Sequence, residues 1–391
     1  MIPRNLAPTL LEVASYYPVV AVTGPRQSGK TTLCREAFPA LPYVSLEPLD
    51  VRDYARRDPR AFLAEYCSGA VIDEVQNVPE LFSYLQAEVD REPRPGRFVL
   101  TGSQHFALAQ GLSDSLAGRV GILTLLPLAY DEIGRFPNHP NTLWEAAVEG
   151  GYPRIRDRGI PPERFLADYV ATYIQRDVRQ VLQVVDLQAF TTFVRLCAGR
   201  SGQELNLSAL GADAGVTHNT ARAWLSVLET SHLCFRLPAW HTNLRKQLIK
   251  APKLHFADSG LMCHLLGVRD ADQLRHHPLR GAVFETWVAG EILKWRTNRG
   301  LPANLYHYRE ARGLEVDLLI EIGEQLLAVE AKSGATIAAD WLAPLRQFAE
   351  QMAKGSRPRQ VEARVVFGGD AGQARSNAAL VAWRDVAGLQ W

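Results

Sequence analysis

Ten residues near the start of the chain, VTGPRQSGKT at 22–31, have the types and spacing needed to grip phosphate groups. Gly24 and Gly29 frame four residues and Lys30-Thr31 follow, which satisfies G-x-x-x-x-G-K-[ST] in full. Glycines allow backbone N–H groups to turn inward around phosphate oxygens, at the positive end of the helix that follows. Lys30 would reach the β- and γ-phosphates, and the Thr31 hydroxyl would ligate Mg²⁺, with Thr32 beside it among the nucleotide contacts. The alternative is a plain glycine turn between a strand and a helix. A second half-site weighs against it: AVIDE at 70–74 ends an apolar run in two carboxylates. Asp73 would hold the magnesium through water, and Glu74 would polarise the attacking water. VLTGS at 99–103 offers Thr101 and Ser103, with Gln104 as a rival, to sense the γ-phosphate. Arg119 in SLAGR is read two ways. It is either a surface ion pair or a charge-stabilising arginine, serving its own site or that of a neighbouring copy in a homo-oligomer.

Two further groups of residues could do chemistry. NLSALGADAGVTHNTARAWLSVLETSHLCFRLP at 206–238 reads as helix, tight turn at Gly215, helix and strand. The second helix would present Thr217, His218, Asn219 and Arg222 at its start. The stretch 241–253 carries Arg245, Lys246, Lys250 and Lys253 with no acidic residue, a local positive patch between two strand-like pieces. Together these residues predict DNA contact through phosphates, or else a module that only packs. Farther on, GLEVDLLIE (313–321) and LLAVEAKSG (326–334) place Asp317 on one strand and Glu330 and Lys332 on one face of the next. With Glu285 from the helical stretch AVFETWVAGEIL, they complete the PD-(D/E)xK nuclease pattern, although no proline precedes Asp317. Asp317 and Glu330 would collect Mg²⁺ or Mn²⁺ and set a water against a phosphodiester. The competing reading is a degenerate fold whose charges merely pair.

Elements must position these residues. The apolar runs at 18–24, 42–47, 69–74, 97–103 and 121–127 alternate with longer polar-apolar stretches, which predicts a parallel sheet covered by helices. Helical periodicity dominates from about 128 to 200, and a strand-rich unit begins near 280. Lys+Arg (43) and Asp+Glu (42) nearly cancel, so any nucleic-acid site must be local. The 5 cysteines are scattered, odd in number and never in C-x-x-C spacing, which argues against a disulfide framework or a zinc site and for a reducing cytoplasm. No run reaches the ~18 apolar residues of a membrane span.

VVAVTGPRQSGKTTL, VIDEVQNVPELF, FVLTGSQ and LAGRV, with LLPLAYDEI and GGYPR, resemble a family of bacterial and archaeal AAA+-type ATPases with a C-terminal domain of uncharacterised function. YIQRDV, TNLRKQLIKAPKLHFADSGL and VFETWVAGEI match the same family, so the resemblance covers nearly the whole chain. It implies an α/β protein with ATP and Mg²⁺ as cofactors. The expected parts are a P-loop parallel-sheet ATPase core (1–135), a helical lid (136–200), a winged helix-turn-helix (201–275) and a restriction-endonuclease-like domain (276–391). Two functions follow as expectations: an ATPase acting on or with DNA, with nuclease capacity, or a nucleotide-driven switch that binds protein partners.

Overall fold

The computed structural model describes residues 2–102, 115–174, 186–241, 250–310, 313–354, 358–375 and 378–391. These residues group into two compact units. The first runs to Leu128 and takes in Thr230–His232 and Thr297–Leu301. The second comprises Ala129–Glu229, Leu233–Arg296 and Pro302–Trp391.

In the first unit, five strands form one parallel sheet: β1 (Val19–Thr23), β2 (Tyr43–Ser45), β3 (Ala70–Asp73), β4 (Phe98–Thr101) and β5 (Val120–Thr124), in the order β2-β3-β4-β1-β5. They fall on the apolar runs of the sequence because a parallel sheet is covered on both faces: the central β1, β3 and β4 are buried throughout, and the edge strands β2 and β5 in part. Val20, Val22, Val71 and Val99 pack with Leu6, Leu10 and Leu33 on one face. Val19, Ala21, Ile72 and Leu100 pack with Phe62, Leu81 and Leu85 on the other. The covering helices are α1 (Ala7–Ala14), α2 (Lys30–Ala37), α3 (Leu49–Arg57), α4 (Pro59–Glu65) and α5 (Leu81–Arg91). Parallel pairing with Val22 opposite Thr101 and Ile72 opposite Leu100 brings the carboxyl ends of β1, β3 and β4 to one edge. The chemistry-bearing residues lie there.

The second unit begins with helices, among them α6 (Leu143–Glu149), α7 (Pro162–Tyr169), α8 (Leu187–Gly199), α9 (Leu207–Asp213) and α10 (His218–Thr230). Side-chain caps fix the starts of α6, α8 and α9: Thr142 accepts from Glu145 N, Asp186 from Ala189 N and Asn206 from Ala209 N. The antiparallel pair β6 (Cys234–Leu237) and β7 (Lys253–Phe256) follows, with Cys234 opposite Phe256, and then α11 (Ser259–Leu266) and the long α12 (Arg280–Thr297). A six-stranded mixed sheet closes the unit: β8 (Leu305–Arg309), β9 (Glu315–Ile322), β10 (Gln325–Lys332), β11 (Gln360–Phe367), β12 (Gln373–Arg375) and β13 (Ala378–Ala382), in the order β12-β13-β11-β10-β9-β8. Helix α13 (Ala343–Lys354) buries Leu345 and Phe348 in a core with Val316 and Val365. Within this second unit Phe193, Leu225, Leu261, Phe284 and Val329 belong to one continuous core.

Among the described residues, no helix is long and apolar enough to cross a membrane.

Candidate functional site

The loop after β1 is held open by its backbone. Gly24 sits at φ 139°, Gln27 at φ 61° and Gly29 at φ 96°, all positive, so successive peptide units turn into a cradle. A Cβ at Gly24 would lie 2.1 Å from the Leu125 carbonyl oxygen, so only glycine fits. Arg4, buried and twenty residues upstream, anchors the loop by donating to Ser28 O at 2.6 Å and Leu126 O at 3.0 Å. Nothing in the local sequence signals that role. Gly29 caps α2, whose first residues are Lys30, Thr31 and Thr32. Lys30 is buried, and its Nζ donates to Gly24 O at 2.9 Å and Pro25 O at 2.8 Å. Burial pulls its ammonium down to about 8, a shift that Glu74 and Asp73 partly offset. Thr32 is exposed on the outer side of the helix.

Asp73 is the hub of the strand ends. Thr31 Oγ1 donates to its Oδ2 at 3.0 Å, Tyr43 OH donates to the same oxygen at 2.8 Å, and Thr101 Oγ1 donates to Oδ1. A hydroxyl and a carboxylate converging beside a glycine cradle make a hard oxygen donor set suited to Mg²⁺. Glu74 follows in the left-handed region, at φ 55° and ψ 42°, and its Oε2 accepts from Gln76 Nε2. Tyr43 and Gln76 were not among the expected site residues. Tyr43 begins a strand without a motif, and Gln76 gains meaning only once the turn after Glu74 is seen. The Arg119 guanidinium pairs bidentately with Asp90, at 2.5 Å and 3.0 Å, as a partly exposed ion pair. Ser103 and Gln104 lie outside the described residues, as do Arg245 and Lys246.

In the second unit, Thr217, His218, Asn219 and Arg222 are all exposed at the start of α10, and Lys250 is exposed with its Nζ donating to Arg309 O at 3.2 Å. Lys253 does not belong to that surface. It is 2 % exposed, and its Nζ lies 3.0 Å from Glu285, 2.8 Å from Glu315 and 3.9 Å from Asp317. The basic run therefore ends in a buried cation. Strand alternation explains this: Lys253 and His255 share one face of β7, and His255 bonds Thr286 at 3.2 Å, close to Glu285. Burial pushes the His255 imidazole down to about 3, with Lys253 adding to the effect, so the ring is neutral.

Asp317 and Glu330 meet across the β9/β10 ladder. The antiparallel register that pairs Leu318 with Val329 brings them opposite each other one step further on. Asp317 Oδ2 accepts from Ala331 N at 2.9 Å, and Lys332 Nζ bonds Glu330 Oε2 at 2.5 Å. Burial, and then the Asp317 charge, push Glu330 up to about 8 despite Lys332. The same two causes push Glu285 up to about 8 despite Lys253. The four expected residues thus lie in one electrostatically linked cluster, joined by Lys253, Glu315 and His255. Among the described residues, no group of three or more His, Cys, Asp or Glu is gathered tightly enough to hold a metal ion.

Residues 16–134 match an AAA domain, 140–272 a domain of unknown function (DUF8612) and 280–384 a second domain of unknown function (DUF4143). Two uncharacterised proteins, Mb2031c of Mycobacterium bovis and Rv2008c of Mycobacterium tuberculosis, are each 30% identical over 338 residues, covering 85% of this chain and 74% of theirs. The chain belongs to the family of these mycobacterial proteins. Among solved structures, a Walker-type ATPase of Pyrococcus abyssi aligns at 14% identity and a TM-score of 0.48, over 68% of this chain and 96% of its own. AMPPCP-bound DnaA from Aquifex aeolicus aligns at 15% identity and a TM-score of 0.30, over 57% and 85%. With a complete phosphate loop inside an AAA domain, this family member is a P-loop ATP hydrolase. An ATPase of this kind uses ATP, usually with Mg²⁺.

Proposed function

We propose that this ATPase acts on DNA, and that its nucleotide cycle governs what the second unit does there. In the first unit, the loop amides and the start of α2 would take the phosphates of ATP. Lys30 would exchange the carbonyls of Gly24 and Pro25 for the β- and γ-phosphate oxygens. Thr31 and Asp73, already 3.0 Å apart, are the residues that would hold Mg²⁺. When bound, that ion offsets the charge of the phosphate oxygens. Glu74 would accept a proton from the attacking water as its oxygen bonds to phosphorus, while the bond to the bridging oxygen breaks and its electron pair leaves with ADP. The contact between Thr31 and Asp73 beside a buried Lys30 carries this reading. Lys30→Ala should abolish ATP binding. Glu74→Gln should keep binding and lose turnover, and wild-type turnover in that variant would remove Glu74 from the role of base.

For the second unit, the exposed polar residues opening α10, backed by the β6/β7 pair, support a winged-helix contact with the DNA backbone. Reversing both Arg222 and Lys250 to glutamate should weaken binding on all sequences alike. It should also flatten the slope of log K against log[salt] by roughly two units. An unchanged slope would place the contact elsewhere.

The cluster of Glu285, Asp317, Glu330 and Lys332 supports phosphodiester chemistry, with Asp317 and Glu330 holding a divalent ion. One observation favours a second reading: the Lys253 ammonium, close to three carboxylates, already supplies a cation. On that reading the fold is a scaffold. Titrating the protein with Mn²⁺ by calorimetry, and incubating it with single-stranded, duplex and branched DNA, separates the two. Mn²⁺-dependent cleavage that Lys332→Ala abolishes supports the nuclease; neither binding nor cleavage leaves the scaffold.

A further inference from the structure

The turn after Glu74 is built around one buried amide. Val75–Asn77 is a single 3₁₀ turn, closed by Asn77 N to Glu74 O at 3.0 Å and Val78 N to Val75 O at 3.1 Å. Asn77 ties it down by donating its Nδ2 to Leu46 O at 3.1 Å. The Gln76 side chain contributes nothing to that framework. It is 7 % exposed, donates Nε2 to the Glu74 carboxylate, and leaves its own Oε1 buried with no hydrogen-bond partner among the described residues. Flipping the amide would press its carbonyl oxygen against a carboxylate, so the network fixes which atom is which. An unmet acceptor in the interior is costly, and a hydrogen-bond donor arriving there removes the cost. The oxygen waits beside the carboxylate assigned to take a proton from water.

We propose that Gln76 is the second water-holding residue of the ATPase, a role that rests on the assignment of Glu74 as base. Nε2–H fixes the Glu74 carboxylate, and Oε1 accepts one O–H of the attacking water. The other O–H points at Glu74. As the water oxygen bonds to the γ-phosphorus, Glu74 takes that proton and the bond to ADP breaks. The hydrogen facing Gln76 stays on the new phosphate. Two acceptors converging on one water fix the direction of its lone pair, which a carboxylate alone does not.

Gln76→Met keeps the volume and removes both donor and acceptor. Expected is a fall in kcat of roughly 10- to 100-fold, the usual worth of a hydrogen bond to a charged group. The Kd of a non-hydrolysable ATP analogue should stay within about twofold, and trapping of ADP with aluminium fluoride should weaken as turnover does. In a Glu74→Gln background the same substitution should change turnover by no more than about twofold, because both residues act on one water. Wild-type turnover in Gln76→Met overturns the proposal. So does an equal loss of analogue affinity and turnover, or a full additional loss in the Glu74→Gln background. Should Gln76→Met not fold, Gln76→Glu decides: it keeps an acceptor but sets a second carboxylate against Glu74, and wild-type turnover there also overturns the proposal. Glu74→Gln alone reports on the base assignment, so failure of the two ideas is distinguishable.

Discussion

Replacing Lys253 by methionine should destabilise the second unit sharply, and the size of the effect can be worked from its contacts. Its side chain is 3% exposed, against 15% for Glu285, 13% for Asp317 and 37% for Glu315. The Glu315 pair is open enough for water to screen, so it contributes little. Glu285 and Asp317 are the buried partners, and removing the cation leaves them facing each other uncompensated. Breaking a buried pair from one side costs about 3–5 kcal/mol. For a unit of this size each kcal/mol moves Tm by about 2–4 °C, so a fall of roughly 6–20 °C is expected at pH 8. The deficit should depend on pH with a definite sign. Burial and Asp317 raise the Glu285 carboxyl from 4.5 to about 8 in the folded protein, so protonation favours the folded state across that window. Stability associated with the cluster is therefore fully present below the unfolded value and lost as pH rises through 8. The variant should recover most of its deficit near pH 5, where Glu285 is neutral and no longer needs a counter-ion. Calorimetric scans of both proteins at pH 5 and pH 8 are the measurement. A Tm within 2 °C of wild type at pH 8, or a deficit equal at both pH values, would refute the view of Lys253 as the cation holding the cluster together.

Two further outcomes follow from the phosphate loop. Because burial holds the Lys30 ammonium at about 8, ATP affinity should be flat below that pH and weaken by up to about tenfold per pH unit above it, as protonation becomes part of binding; a fluorescent ATP analogue titrated from pH 7 to 9.5 tests this, and a flat profile refutes it. Gly24→Ala should abolish nucleotide binding and lower Tm, because the added Cβ meets backbone 2.1 Å away at φ 139°. Gly118→Ala, at φ 75° with nothing within 4 Å among the described residues, should cost only about 1–2 kcal/mol of left-handed strain and leave binding intact; equal losses in both variants would mean that close approach does not decide.

How much of this was legible in the sequence depends on how local the cause is. The phosphate loop is contiguous, and the five apolar runs announce five strands because a covered parallel sheet buries its central strands on both faces and its edge strands in part. The carboxyl-end rule then places Asp73 beside Thr31, forty-two residues away. Arg4 and Tyr43 escape notice because each acts through a contact that only the folded chain creates. The carboxylates on β9 and β10 are legible because a hairpin with a turn at Gly323 sets their register locally.

Lys253 is the instructive failure. A run of basic residues in a loop normally reads as solvated charge, and that reading ignores where the strand begins. KLHF is fully buried, so a charged residue opening it must find compensation inside. Alternation puts Lys253 and His255 together on one face, a pattern with no use on a surface strand and a plain one opposite a cluster of acids. The compensating carboxylates come from α12 and β9, thirty-two and more residues away, and no spacing rule reaches them. The same fact bears on mechanism. A site that gathers Glu285, Asp317 and Glu330 needs positive charge, and Lys332 satisfies only the Glu330 end. If Lys253 satisfies the other, a divalent ion is required only at the Asp317–Glu330 edge, where burial and the Asp317 charge push the Glu330 carboxyl up to about 8 despite Lys332, so that charge is still to be offset. Mn²⁺ should then bind with the loss of about one proton from Glu330 near pH 7, and Lys253→Met should open a second, Glu285-side demand for cation. Calorimetry in buffers of different ionisation enthalpy counts that proton directly. Binding without proton release would separate the metal from Glu330 and return the cluster to the role of a scaffold.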